Sequence, residues 1–298
     1  LVFEKHILYP TPLEKLSSPV FDKKGLEIWV KRDDLCHPEV SGNKFRKLKF
    51  NLLKAKELKK ETLISFGGAY SNHIYALAAA AQLFDFKSEA IIRGQELNEN
   101  SSPTLTFASQ KGMKMHFVTR SDYRDKAALS SNFSDESKFF IPEGGSNQYA
   151  LPGCAEIIDE VLTEITPTHF CLAAGTGGTA AGVLSNKNFK GEVYGFPALK
   201  NGGFLINEIQ GLLQEPTDRL SFFEEYHFGG YAKYNDTLLK FIKDFESEFD
   251  ILLEHIYTAK LFFGVFDLIE KGQFPTGSKI VIYHSGGLQG RLPILSEN

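Results

Sequence analysis

The stretch SGNKFRKL, Ser41 to Leu48, sets a lysine just after a flexible turn and at the head of a strongly basic segment. A lysine amine attacks carbonyl groups when its ammonium form is disfavoured, and neighbouring cations disfavour it. Lys44 has Arg46 and Lys47 close by, and Phe45, Leu48, Leu52, Leu53 and Leu58 follow at helical spacing. Ser41 and Asn43 are both good N-cap types, which puts Lys44 near a helix N-terminus, where the helix dipole also opposes added positive charge. The same residues suit an amphipathic helix with a solvated basic face, so the rest of the chain has to decide between an activated amine and a surface charge run.

Three glycine-rich turns follow apolar, strand-like runs, the position at which ligands bind in open α/β sheets. In GTGGT, Gly175, Thr176, Gly177, Gly178 and Thr179 would let amide hydrogens and two hydroxyls face a phosphate at a helix start. A bound phosphomonoester and a plain tight strand-to-helix turn both fit this pattern. No GKS or GKT follows, which excludes a P-loop, and no acidic ribose ligand stands about twenty residues on, which disfavours a dinucleotide. In GGAYSNH, Ser71, Asn72 and His73 sit at a helix mouth that favours a carboxylate; an ordinary N-cap reads the same way. In YHSGGLQG, Ser285 offers a hydroxyl to a ring nitrogen. No GxSxG elbow is present, which disfavours a serine hydrolase.

The elements that must position these residues alternate between short β-rich runs and helical periodicity, as stacked βαβ units with a mainly parallel sheet require. TLISFGG, SEAIIRG, MKMHFVTR, KFFIPEGG, HFCLAAG, EVYGFPA and KIVIYHSGG read as strands. Helices are expected after Asn43, over NHIYALAAAAQLF, from about Leu151 to Ile165, and after GTGGT. The four strands between Thr62 and Gly145 suit a small sheet of their own, with the WVKRDD segment joining the C-terminal half. A chain of 298 residues with 42% hydrophobic and 23% charged residues is an ordinary globular composition. A net charge of -4 opposes general nucleic-acid binding, and no apolar run has membrane-spanning length. Cys36, Cys154 and Cys171 are odd in number and lack CxxC spacing, so neither a disulfide framework nor a zinc site is expected and a cytoplasmic location fits.

An activated lysine, a phosphate loop and hydroxyls at strand ends are together what a pyridoxal phosphate enzyme needs. In the ordered series TPLEKL, WVKRDDL, SGNKFRKL, SNH, PEGGSN, GTGGT, GGY, YTAK and HSGG, the chain resembles the tryptophan-synthase-β-like pyridoxal phosphate enzymes of fold type II. Within them it resembles the group holding 1-aminocyclopropane-1-carboxylate deaminase and D-cysteine desulfhydrase. The resemblance implies two open, twisted, mainly parallel sheets flanked by helices, with pyridoxal 5'-phosphate in the cleft between a large domain (1–48 and 155–298) and a small one (49–154), in a homodimer.

It further implies that Lys44 holds the cofactor as a Schiff base, that Gly175 to Thr179 bind its phosphate, and that Asn72 bonds the ring hydroxyl. Ser71, with Asn72 and His73, would meet the substrate carboxylate or assist proton transfer. Tyr257 would flank the ring and Tyr231 approach the substrate. Cyclopropane-cleaving members carry glutamate after the ring-flanking tyrosine, whereas this chain has Thr258, and Ser285 in HSGG. A neutral partner keeps the pyridine less firmly protonated, a weaker electron sink that suffices for β-elimination. D-cysteine desulfhydrase chemistry is therefore expected ahead of cyclopropane deamination. Non-catalytic cofactor binding and a nucleotide-binding oxidoreductase are the rival classes. The chain departs from the family in CHPEVSGNK, which lacks a second glycine, in Ala259, and in GFPALKNGG with its Lys200.

Overall fold

A computed structural model describes residues 1–295. Its strands are β1 (Leu13–Leu16), β2 (Glu27–Arg32), β3 (Thr62–Gly67), β4 (Lys87–Arg93), β5 (Lys114–Val118), β6 (Lys138–Ile141), β7 (His169–Ala174), β8 (Glu192–Pro197), β9 (Leu220–Phe222) and β10 (Lys279–His284). Its α-helices are α1 (Pro19–Lys24), α2 (Asn43–Glu57), α3 (Asn72–Leu83), α4 (Pro103–Gln110), α5 (Lys126–Phe133), α6 (Ala150–Leu162), α7 (Gly178–Ser185), α8 (Leu205–Leu213), α9 (Asp236–Phe249) and α10 (Thr258–Glu270).

The strands form two sheets, a large one in the order β1-β2-β10-β7-β8-β9 and a small one in the order β5-β4-β3-β6. Every pairing is parallel except β1 with β2. The central strands β3 and β7 are buried along their whole length, as parallel strands covered on both faces must be. Side-chain alternation divides the cores. Leu63 joins the apolar cluster under α2 and α3, while Ile64 and Phe66 join the cluster with Tyr123 and Leu129. In β10, Ile280 and Ile282 face the α9 and α10 side, and Val281 and Tyr283 face α6 and α7.

The strand expectations hold, as does the return of the WVKRDD segment to the C-terminal sheet. The antiparallel β1, within TPLEKL, the short β9, and the phenylalanine-rich pair α9 and α10, the latter opening at YTAK, are further elements that the strand and helix expectations did not include. Positions 48 and 154 both lie inside helices, α2 and α6, which pack on each other. The two sheets are thus joined by continuous helices.

That join contains a buried ionic cluster. Arg46, with no solvent exposure, bonds both oxygens of Asp33 at 2.9 Å and both oxygens of Glu160 at 2.6 and 2.8 Å. Tyr283 donates to Asp33 at 2.6 Å, Thr11 donates to it at 2.5 Å, and Lys31 donates to Glu160 at 2.6 Å. Burial alone would raise the Asp33 carboxyl, but Arg46 overrides it and holds the group below the usual carboxylate range. Removing one acid leaves a buried positive charge without its full complement of partners in a dry place. Asp33→Ala is expected to lower unfolding stability by about 3–5 kcal/mol in urea denaturation; a loss below about 1 kcal/mol would show that the cluster does not hold the helices to the sheet.

Candidate active site

The carboxyl ends of both sheets open onto a cleft of about 710 Å³. Lys44, Ser71, Asn72, Thr176, Tyr231 and Tyr257 all line it, so the structure brings together residues from distant parts of the chain. Lys44 is set by the turn before α2. The residue preceding that helix is Gly42, at φ 61°, and a Cβ there would lie 1.7 Å from the Ser285 carbonyl oxygen. A Cβ on Gly286 would in turn meet Ser41 Oγ at 2.2 Å. The SGNK and HSGG turns therefore dock backbone to backbone, and Asn43 N donates to the Ser285 carbonyl at 3.3 Å. Neither Ser41 nor Asn43 caps the helix. The N-cap position is Gly42, which has no side chain to offer, and the Asn43 amide donates across to Thr179 Oγ1 at 3.0 Å.

Lys44 opens onto the cleft, yet the protein around it removes most of its hydration. Burial first and the Lys47 charge second lower its amine from the usual lysine value to about 7. Lys47 lies one helical turn on and has no carboxylate partner among the described residues. It donates to Gly144 O and Ser146 Oγ at 3.1 Å and to Thr176 Oγ1 at 3.2 Å, and burial lowers it to about 8. Ser146 and Thr176 share a 2.7 Å hydrogen bond.

These groups surround the turn that leads into α7. Gly177 adopts φ 76°, where a Cβ would strike Ile209 at 2.8 Å. A helix start with free amide hydrogens, a cation and three hydroxyls (Ser146, Thr176 and Thr179) is a suitable cradle for a phosphate group. Gly175, Thr176, Gly177 and Thr179 line the cleft, whereas Gly178 packs against Ser146 behind it. Lys47 and Ser146 were missed as ligands in the sequence. The signal was present, since Lys47 is three residues from Lys44 on one helix face and Ser146 lies in PEGGSN.

At the small-sheet wall, Ser71 caps α3 by accepting from Ile74 N at 3.3 Å. Asn72 accepts from Gln289 Nε2 at 2.9 Å, which leaves its own amide hydrogens available. The His73 ring is 2% exposed, and its Nε2 lies 2.8 Å from Ser65 Oγ. Ser65 donates onward to Pro142 O at 3.3 Å, so Nε2 carries the proton and Nδ1 is an acceptor without a protein partner. Burial, with Lys44 and Lys47 nearby, keeps this histidine neutral.

At the large-sheet wall, Tyr257 and Tyr231 meet edge to face with centroids 6.0 Å apart. Burial, followed by the charges of Tyr231 and Glu254, pushes the Tyr257 phenol well above its ordinary value. Ser285 lines the cleft at the end of β10. Thr258 does not. Its fully buried hydroxyl accepts from Glu254 N at 2.9 Å and donates to Glu254 O at 3.2 Å, closing the first turn of α10. The expected contact between Thr258 and a cofactor ring nitrogen is therefore corrected, because helix-end hydrogen bonding consumes the hydroxyl. Lys200 also stands outside the cleft lining, with its Cβ 3.7 Å from the Cβ position of Gly230.

The chain matches the family model described as Pyridoxal-phosphate dependent enzyme over residues 5–286. It belongs to that family. It is 28% identical to the bifunctional D-cysteine desulfhydrase/1-aminocyclopropane-1-carboxylate deaminase of Arabidopsis thaliana, over 94% of this chain and 77% of the relative. It is 27% identical to a D-cysteine desulfhydrase of Klebsiella pneumoniae, over 93% of this chain and 92% of the relative. A solved ACC deaminase homologue matches with TM-score 0.77 and 26% identity, covering 95% of this chain and 91% of that one. Threonine deaminase isoform 2 from Solanum lycopersicum, at TM-score 0.69 and 17% identity, covers 96% of this chain and 81% of its own and shares the fold. The protein is thus a fold type II enzyme that uses pyridoxal phosphate.

In the cofactor-free protein, trace acetylation of Lys44 followed by mass spectrometry should rise with pH around a midpoint of about 7, because the neutral amine forms as pH passes that value. Lys47→Met removes the neighbouring charge and is expected to move the midpoint upward. A Lys44 midpoint near that of free lysine would contradict this description of the site.

Proposed function

We propose that the enzyme is a lyase of the D-cysteine desulfhydrase type, converting D-cysteine to pyruvate, ammonia and sulfide by β-elimination. The observation that carries this reading is that Ser285, which lines the cleft at the end of β10 and is assigned here to the cofactor ring nitrogen, carries a hydroxyl and not a carboxylate. Glu254, three residues before the ring-flanking Tyr257, is fully buried and accepts from the backbone N–H groups of Ile256, Tyr257 and Thr258 at 2.6–2.7 Å. A neutral partner leaves the pyridine a weaker electron sink, adequate for expelling a β-thiolate after α-proton loss and poorly suited to opening a cyclopropane without an α-hydrogen. The Klebsiella pneumoniae relative is a D-cysteine desulfhydrase and the Arabidopsis thaliana relative is named for both activities, so the relatives support the lyase class and the choice within it rests on Ser285.

In this reading Lys44 holds the cofactor covalently, Lys47, Ser146, Thr176 and the amides of Gly177 to Thr179 hold its phosphate, and Asn72 meets the ring hydroxyl. Bound there, pyridoxal phosphate supplies a Schiff-base carbon and an electron sink for charge at the substrate α-carbon. The α3 amides and Ser71 orient the substrate carboxylate. Lys44, whose amine burial and the Lys47 charge lower to about 7 in the cofactor-free protein, would take the α-proton at Nζ. Tyr257 packs on the ring while Tyr231 approaches the substrate, and both phenols stay protonated, so they donate hydrogen bonds. A cytoplasmic homodimer completes the reading; the three buried free cysteines suit a reducing compartment.

Incubation with D-cysteine should yield pyruvate and sulfide, while 1-aminocyclopropane-1-carboxylate should yield little 2-oxobutanoate. Efficient 2-oxobutanoate formation would reverse the preference in favour of the deaminase. Lys44→Ala should abolish the visible absorbance of the bound cofactor and lower turnover by at least about 10³-fold; near-normal turnover would remove Lys44 from its role.

A further inference from the structure

Arg93 ends β4, lines the cleft and is exposed, and among the described residues it forms no ion pair or hydrogen bond. The other cations facing the cleft are engaged. Lys126 pairs with Glu143 at 3.0 Å, Lys47 is bonded into the phosphate cradle, and Lys44 is the reactive amine. The Arg93 guanidinium sits over a prepared platform, 5.7 Å from the centroid of the Tyr123 ring. That ring is pinned by its own hydroxyl, which donates to Glu143 at 2.7 Å.

One guanidinium nitrogen lies 3.6 Å from where a Cβ on Gly68 would stand. Gly68 is the second glycine of GGAYSNH, just after β3, so the bare glycine leaves the guanidinium facing the cleft beside the α3 entrance. Across the cleft, burial raises the Tyr231 phenol most, and the positive charge of Arg93 acts against it. Arg93 therefore stands between the substrate-carboxylate turn and Tyr231, with its donors unspent. A guanidinium with open donors in a cleft is suited to a carboxylate, which it binds through two parallel hydrogen bonds.

We propose that Arg93 determines specificity by binding a second anionic group, on the side chain of the substrate, so that amino acids with acidic side chains bind in preference to neutral ones. The proposal rests on the amino-acid lyase reading and adds the side-chain class to it. The two are compatible, because the thiol of D-cysteine develops negative charge as it leaves and would gain from the same guanidinium.

The test is a titration of the cofactor-loaded protein with D-alanine and with D-aspartate, which differ by one carboxylate, read as the change in the visible spectrum and requiring no turnover. D-Aspartate should bind about tenfold or more tightly than D-alanine, since hydrogen bonds to charged groups are worth about 1.5–3 kcal/mol. Arg93→Gln should bring the ratio to within about twofold of one, and Arg93→Lys should restore part of it. Equal affinities in the parent protein, a spectrum that neither amino acid alters, or an Arg93→Gln variant that weakens both equally would overturn the proposal; the last would assign Arg93 to the α-carboxylate. Pyruvate formation from D-cysteine in the same preparation judges the desulfhydrase reading separately. Its absence alongside an Arg93-dependent preference would remove that reading and keep this proposal.

Discussion

Keeping a lysine amine free of its proton near neutral pH requires dry surroundings and a fixed position, and both depend on the turn before α2. Water would stabilise the ammonium form, so the amine must be desolvated; a mobile side chain would find water or a carboxylate. The docking of Gly42 on the Ser285 carbonyl fixes the start of the helix, and Arg46 ties its first turn to Asp33, just after β2, and to Glu160 of α6. Lys44 lies between these anchors. Its pKa of about 7 is therefore a property of the packed helix junction as much as of the cleft.

The same helix presents two amines to one cleft with different surroundings. Among the described residues Lys44 has no hydrogen-bonding acceptor, whereas Lys47, one turn along, meets a carbonyl and two hydroxyls. Identical side chains three residues apart are thus given the surroundings that suit, in the proposed reading, a reactive nucleophile and an anion ligand. The cofactor's two ends demand this division: an aldehyde carbon needs an amine that can lose its proton, and a phosphate needs a cation. His73, buried and neutral next to both lysines, adds a polar contact without adding positive charge.

Much of this was legible in the sequence because apolar spacing and glycine-rich turns report directly on local geometry. The run after Asn43 gave α2, TLISFGG gave β3, and GTGGT gave the turn into α7, each from residues adjacent in the chain. Contacts between distant segments were less accessible. That Gly42 is needed because a carbonyl 243 positions later approaches it is invisible in one dimension, although both turns are glycine-rich. Thr258 shows the limit in the other direction. Its neighbour Tyr257 reaches the cleft, but a helix begins at Thr258, and Glu254 and the helix end claim its hydrogen bonds. In the proposed reading the role of the neutral ring partner falls to Ser285, which lines the cleft. Arg93 closes a strand with no motif around it, so only the fold sets it in the cleft.

The central claim is that Lys44, among the lysines of the cleft, carries the cofactor. Borohydride reduction of the pyridoxal-phosphate-loaded protein, followed by proteolysis and peptide mass spectrometry, tests this directly by fixing the carbon–nitrogen bond where it stands. A pyridoxyl group on Lys44 is the expected result. A pyridoxyl group on Lys47, on Lys126 or on no lysine of the cleft would contradict the assignment and the division of labour built on it.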